Sequence, residues 1–380
     1  MLVGLDARAL VSPVRSGVEL YVINLARALA QLSDAPDIIA YMDRRIAAPE
    51  LAASLSRGRV RPKVLRAKRG WLRAAMPWRL WRDGVDLVHL PSTIVPPLLP
   101  CPAVVTVHDL AWARYPETYD SADLRMQTEV VPRSVRRAAH VIAVSRSTAR
   151  DVADVLQVPN DRITAIPLGV SAAFAPEGPK LNGSEFPGAD RARDGCVLHT
   201  GGLHPRKNLG RLLEAYAMLR REGLAGGAGS APPLLIAGDT STRWGRELMT
   251  WIARLDLTPD VILPGHVTEQ VLPALYRSAT ALVYPSLYEG FGLPILEAMA
   301  SGTPVITSDG SSMLEVAGEA AVLVNPESAE ELAGALSRVL TDEALRRDLA
   351  ERGLLRSRQF TWERTARETV AVYGRLAHPL

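Results

Sequence analysis

Two carboxylates in the stretch SLYEGFGLPILEAMASGTPVI, Glu289 and Glu297, stand where an apolar run gives way to a glycine-rich turn and then a helical pattern. Gly290 and Gly292 let a ligand approach the backbone, and Pro294 presets the first turn of a helix that carries Glu297. The N–H groups of Phe291, Gly292 and Leu293 then lie at a helix N-terminus, a place that holds a phosphate or a sugar oxygen. Against a diphosphate, two carboxylates would repel the ligand. They make sense as acceptors of hydroxyl hydrogen bonds, one set from a sugar ring and one from a ribose, so a nucleotide sugar meets both demands.

A second constellation, HTGGLHPRKNL, follows another apolar run. Gly201 and Gly202 permit a tight turn, Arg206 and Lys207 can neutralise a departing diphosphate, and Asn208 is the expected N-cap of the next helix. His108 follows an apolar strand and precedes Asp109, which suits a loop position beside a site. His199, His204 and His266 have no partners at zinc-ligand spacing, and the chain contains no Asp-x-Asp, so no metal is expected on the diphosphate. Cationic side chains and a helix dipole take that role instead.

These residues need a scaffold, and the apolar periodicity supplies one. Strands are expected at 2–5, 37–42, 85–90, 103–107, 140–144 and 163–167, with a helix at 18–32, and the intervals suit parallel crossovers. After a Pro- and Gly-rich stretch at 175–194, expected as a linker, strands resume at 196–199, 234–237, 261–263, 281–284, 304–307 and 321–324. The class is α/β, with two doubly wound domains whose ligands sit in a cleft at the carboxyl ends of the strands. The expected domains are 1–174 and 195–360. The loop 223–233 is expected as a surface loop, and residues 360–380 as a helix free to dock elsewhere.

At 380 residues, 47% hydrophobic and 22% charged, the chain fits two or three domains of ~150 residues each, not a disordered or disulfide-stapled class. Cys101 and Cys196 are the only cysteines, which suits a reducing cytosol, and the opening MLVGLDARAL is a poor signal peptide. No run of about twenty apolar residues exists. The expected location is cytoplasmic, with peripheral attachment to the inner face of a membrane left open.

The order Gly201-Gly202, Arg206-Lys207-Asn208, Pro264-Gly265-His266-Val267 and Glu289-Gly-Phe-Gly-Leu-Pro-Ile-Leu-Glu297-Ala-Met resembles the donor domain of the family 4 retaining glycosyltransferases, of GT-B fold. VTVHDLAWARYPETY is similar to that family's acceptor-side histidine segment, Arg15-Ser16-Gly17-Val18 to its first glycine loop, and FTWERTARETVAVYGRL to its closing helix, which crosses back onto the first domain as 361–380. The resemblance implies that Glu289 contacts the donor sugar, Glu297 the ribose, and Arg206 and Lys207 the leaving diphosphate. It places Gly265, His266 and Val267 beside the base, Gly17 near the phosphates, His108 near the reacting sugar, and Asp109 and Trp112 on the acceptor. Many relatives carry an arginine where this chain has Gly202, so Arg206 is expected to supply that charge. The Arg-Lys-Asn form is similar to relatives that use GDP-mannose, with UDP-hexoses or UDP-N-acetylhexosamines as the alternative. No cofactor is implied beyond the donor substrate, and the acceptor is a glycan, a lipid-linked species or a small molecule.

Residues 57–82 carry ten basic residues, from Arg57 to Arg82, and no acidic one, interleaved with Trp71, Trp78 and Trp81. Trp71, Ala75 and Trp78 share a helical face in this reading, an apolar stripe beside a cationic one, as in binding to anionic lipid. Core packing of the tryptophans with solvated arginines is the other reading. A nucleic-acid-binding protein using this patch would leave the glycine loops and glutamates unexplained, so no nucleic-acid partner is expected. A non-catalytic nucleotide-sugar binder also stays open.

Overall fold

A computed structural model describes residues 1–12, 17–46, 53–55, 58–67, 70–224 and 231–377. Arg15, Ser16, Arg57, Lys68, Arg69 and residues 225–230 of the 223–233 loop, all part of the expectations above, lie outside the described residues. The chain divides into two units, Met1–Gly169 with Phe360–Leu380, and Val170–Gln359.

The first unit contains β1 (Leu2–Asp6), β2 (Asp37–Met42), β3 (Val60–Val64), β4 (Leu87–Leu90), β5 (Ala103–Val107), β6 (His140–Ala143) and β7 (Ile163–Ala165). They form a parallel sheet in the order β3-β2-β1-β4-β5-β6-β7. β4, β5 and β6 are buried along their whole length, which is why they read as continuous apolar runs. β3 was not expected, because its sequence VRPKV is basic and holds a proline. As an edge strand it pairs only with β2, and Arg61 and Pro62 face solvent.

The second unit contains β8 (Val197–Thr200), β9 (Leu234–Ala237), β10 (Val261–Gly265), β11 (Ala281–Tyr284), β12 (Val305–Ser308) and β13 (Val322–Val324). Their parallel order, β10-β9-β8-β11-β12-β13, repeats the 3-2-1-4-5-6 pattern of a Rossmann-like sheet that the first unit also contains. In each unit the strand order reverses once, between β1 and β4 and between β8 and β11. A crevice for ligands forms at the carboxyl ends of such a pair.

The helices that bear on the site are α1 (Gly17–Gln31), α2 (Met76–Asp83), α3 (Ala111–Arg114), α4 (Leu209–Glu222), α5 (Leu272–Ser278), α6 (Leu293–Ala300), α7 (Ser311–Ala317) and α8 (Trp362–Ala377). α8 packs on α1 and β4 of the first unit. Its Tyr373 hydroxyl lies 2.6 Å from His89 Nδ1, and Thr365 Oγ1 donates to the Pro167 carbonyl at 2.7 Å.

Residues 175–194, expected as a linker, belong to the second unit. Arg277 of α5 donates to the carbonyls of Ala175 (3.1 Å) and Pro179 (2.8 Å), and Leu181 N–H donates to Ser278 Oγ at 2.9 Å. A segment tied down through its own backbone polar groups needs no apolar periodicity, so its composition resembles that of a free linker.

Candidate active site

In the second unit, the loop between β11 and α6 carries the first glutamate. Gly292 caps α6 with φ +111°, a left-handed conformation that glycine adopts without strain, and Pro294 sits in the first turn. Glu289 is 6% exposed. Its Oε1 accepts from Lys207 Nζ at 2.5 Å and from the Tyr284 hydroxyl at 3.0 Å, and its Oε2 accepts from Arg206 Nη1 at 2.7 Å. Lys207 Nζ also donates to the Tyr284 hydroxyl at 2.6 Å, and Arg206 Nη1 to the Tyr288 carbonyl at 3.0 Å. The Glu289 carbonyl accepts from Ser311 and Ser312 Oγ, both at 2.8 Å, at the start of α7.

Burial raises the Glu289 carboxyl, but the Lys207 ammonium and Arg206 guanidinium outweigh it and hold the group at about 2. Glu289 is therefore ionised at neutral pH, with both cations of the basic pair turned onto it.

Glu297 lies one turn into α6 and is also buried. Its Oε2 accepts from the Tyr276 hydroxyl of α5 at 2.8 Å, and that hydroxyl lies 2.9 Å from Thr200 Oγ1 at the end of β8. The Phe174 ring packs edge-on against Tyr276 at 5.7 Å. With no cation bonded to it among the described residues, burial pushes Glu297 up to about 7; the Tyr276 hydrogen bond pulls the other way, and the charge of Glu269 adds to the rise.

Gly201 (φ +124°) and Gly202 are exposed, and a Cβ built on either would meet open space, as it would at Gly265 (φ +77°). Both loops leave room over their backbone. His266 is exposed, Val267 is half-buried, Phe291 and Gly292 are buried, and Leu293 is half-buried. Asn208 stands at the N-cap of α4 as expected, but with φ +60° and no side-chain cap bond. Its Nδ2 reaches the Pro285 (3.2 Å) and Pro326 (2.6 Å) carbonyls, because the residue sits in a left-handed turn that aims its amide at those loops. His199 is buried, its Nδ1 3.0 Å from the Val283 carbonyl and its ring stacked on Tyr284 at 5.5 Å; burial lowers it to about 4.

In the first unit Gly17 is the exposed first residue of α1. His108 and Asp109 follow β5 and are half-buried. His108 Nε2 lies 3.0 Å from the Pro91 carbonyl, its ring meets Tyr21 edge-on at 5.0 Å, and burial lowers its pKa. Asp109 Oδ1 accepts the Ala111 N–H at 3.0 Å. Beneath, the Tyr21 hydroxyl and Thr106 Oγ1 are 3.0 Å apart, and His89 bridges Thr106 (Nε2, 2.8 Å) to Tyr373 of α8.

Trp112, expected on the acceptor, is buried. Only 8% exposed, it packs on α3 in a cluster with Val105, Val107 and Val131, where a large apolar ring is most stable. The residues that the sequence reading missed on this side line a cavity of about 320 Å³ at the β1/β4 reversal: Asp6, Arg8, Glu19, Asp43, Arg44 and Ser92. Asp6 holds Arg8 through two bonds, 3.0 Å to Nε and 2.7 Å to Nη2, and the Arg8 guanidinium lies 4.5 Å over the Trp71 ring. Asp6 ends the first apolar strand, and a charge at that position is the signal that could have found the cavity.

Known proteins fit this geometry. The structure of Anabaena HepE in complex with UDP-glucose superposes with a TM-score of 0.74 over 99% of both chains, at 20% identity. Two Rossmann-like units with these strand orders are those of the GT-B fold. Residues 15–174 match the family model for Glycosyltransferase Family 4, and residues 186–356 that for Glycosyl transferases group 1. The O-antigen chain mannosyltransferase B of Escherichia coli is 31% identical over 298 residues, 78% of this chain and 76% of that one. The O-antigen chain mannosyltransferase RfbU of Salmonella typhimurium is 27% identical over 336 residues, 85% of this chain and 87% of that one. The chain belongs to glycosyltransferase family 4.

Proposed function

We propose that this glycosyltransferase moves a hexosyl group, with mannosyl from GDP-mannose favoured, onto a hydroxyl of a glycan, lipid-linked or small-molecule acceptor, with retained anomeric configuration and without a metal. The observation that carries the reading is the buried, ionised Glu289 held by both Arg206 and Lys207 beside the N-terminus of α6. In the absence of donor, Glu289 is the anion that stabilises the two cations. When a diphosphate arrives it competes for them, and the released carboxylate oxygens accept hydroxyls of the transferred sugar. Glu297 accepts the ribose hydroxyls.

The bond from the anomeric carbon to the diphosphate oxygen breaks first, and the acceptor oxygen bonds to the same face. The acceptor proton passes to the departing phosphate oxygen, whose charge Arg206 and Lys207 stabilise. The acceptor is seated in the first unit's cavity around Asp6, Arg8, Asp43 and Ser92. The two O-antigen mannosyltransferase relatives support mannosyl transfer. The UDP-glucose held by HepE favours the second reading, a UDP-linked hexose or N-acetylhexosamine donor.

A thermal-shift and hydrolysis screen against GDP-mannose, UDP-glucose, UDP-galactose and UDP-N-acetylglucosamine tests the donor. Stabilisation by GDP-mannose with slow hydrolysis is expected; stabilisation by a UDP sugar alone replaces the donor, and no response to any of the four sinks the reading. An NMR assignment of the product anomer tests retention.

A further inference from the structure

The basic segment separates into a buried part and an exposed part, and the division differs from the stripe that helical spacing implies. Trp71 is buried: its Nε1 donates to the Leu65 carbonyl at 3.2 Å and its ring carries the Arg8 guanidinium. A turn of π-helix over Trp71–Ala75 precedes α2 and rotates the two parts away from a shared face. Trp78 and Trp81 remain outside, 54% and 69% exposed, while Met76 and Leu80 of the same helix are fully buried.

The surrounding charge is one-sided. Asp83, which ends α2, accepts from Lys63 Nζ (2.8 Å), Arg79 Nε (3.1 Å) and the Tyr41 hydroxyl (2.8 Å), so its charge is already compensated. The Lys63 contact also ties β3 to α2, which brings the edge strand's cations beside the helix. Arg61, Arg66, Arg73 and Arg82 are exposed and form no ion pair among the described residues. Two exposed indoles within one helical turn, in a segment whose exposed arginines form no ion pair among the described residues, suit a partner that is apolar at one depth and anionic just above it.

The geometry points to the outer face of α2, with Trp78 and Trp81 at its centre, as a docking surface for an anionic lipid bilayer. Indole rings sit at the boundary between headgroups and acyl chains, and the arginines meet lipid phosphates. The Arg82 guanidinium lies 5.2 Å over the Trp78 ring, so cation and indole already share one surface, as a headgroup boundary requires. The surface is separate from the residues assigned to donor and acceptor, so attachment and transfer can be measured independently.

Co-sedimentation of the full chain with vesicles of phosphatidylcholine alone, and of phosphatidylcholine with phosphatidylglycerol, tests the assignment. The protein is expected to sediment with the anionic vesicles only, and less so as salt is raised. Trp78→Ser with Trp81→Ser, and separately Arg73→Glu with Arg82→Glu, are expected to weaken that binding by about ten-fold or more. Nucleotide-sugar thermal shifts should stay as in the parent, which shows that the variants fold. Equal sedimentation with neutral vesicles, no sedimentation with either, or variants that bind like the parent would each overturn the proposal. So would binding of a single-stranded oligonucleotide that both variants abolish while vesicle binding is absent.

Discussion

Glu289 and Glu297 lie in one motif, both buried and both hydrogen-bonded by a buried tyrosine, yet their carboxyls are driven in opposite directions. Glu289 has Lys207 and Arg206 within bonding distance and sits at about 2; Glu297 has only the Tyr276 hydroxyl and sits at about 7. A tyrosine hydrogen bond does not offset burial of a carboxylate, whereas two cations do. The first glutamate is a fixed charge. The second changes protonation near neutral pH.

The largest effect is expected from removing the fixed charge. Glu289→Gln removes the carboxylate that the buried Lys207 and the half-buried Arg206 both contact, a loss of about 3–5 kcal/mol for a broken buried pair, and turnover should fall at least about ten-fold. Urea unfolding and kcat measure the two, and a variant unchanged in both would break the comparison. Lys207→Ala should lower turnover by a similar factor.

Next, the glutamates should give stability opposite slopes with pH. The Glu289 contribution is present above the unfolded value of 4.5 and is lost as pH falls toward 2. The Glu297 contribution is complete below 4.5 and disappears as pH rises through 7, because the folded protein keeps a proton the unfolded chain has released. Urea midpoints between pH 4 and 8 should therefore decline with rising pH in the parent relative to Glu297→Gln. Parallel profiles would mean that Glu297 does not titrate near 7.

A smaller effect is expected from Tyr276→Phe. It removes the hydrogen bond that favours the charged form, so the Glu297 titration should move above 7. If the ionised carboxylate receives the ribose, donor KM at neutral pH should rise a few-fold with kcat nearly constant. A change confined to overall stability would reduce Tyr276 to a packing role. The smallest expected effect is from EDTA, which should leave the transfer rate as it was; loss of activity restored by magnesium or manganese would contradict the metal-free reading.

How much of this the sequence discloses depends on whether a residue acts where it stands in the chain. The strands of both units are legible because burial on two faces makes them apolar runs, and the glutamate loop is legible because Gly292 and Pro294 mark a strand-to-helix turn. β3 is not, since an edge strand tolerates Arg61, Pro62 and Lys63. Nothing in the sequence singles out Tyr276 or Tyr284, and only the folded chain brings their hydroxyls to the two glutamates. Trp112 is assigned to the acceptor by the resemblance of its segment, and only the folded chain shows its ring packed among Val105, Val107 and Val131.

The way the chain is divided has a consequence for its biosynthesis. The second unit is continuous, Val170–Gln359, but the first is completed only by Phe360–Leu380, whose Tyr373 closes the hydrogen-bond chain through His89 and Thr106 to Tyr21. A ribosome therefore delivers every residue of the second unit before the last helix of the first. The amino-terminal sheet waits through the whole translation of its neighbour with the α1 and β4 surfaces that receive α8 uncovered, so the half of the enzyme made first is the half finished last.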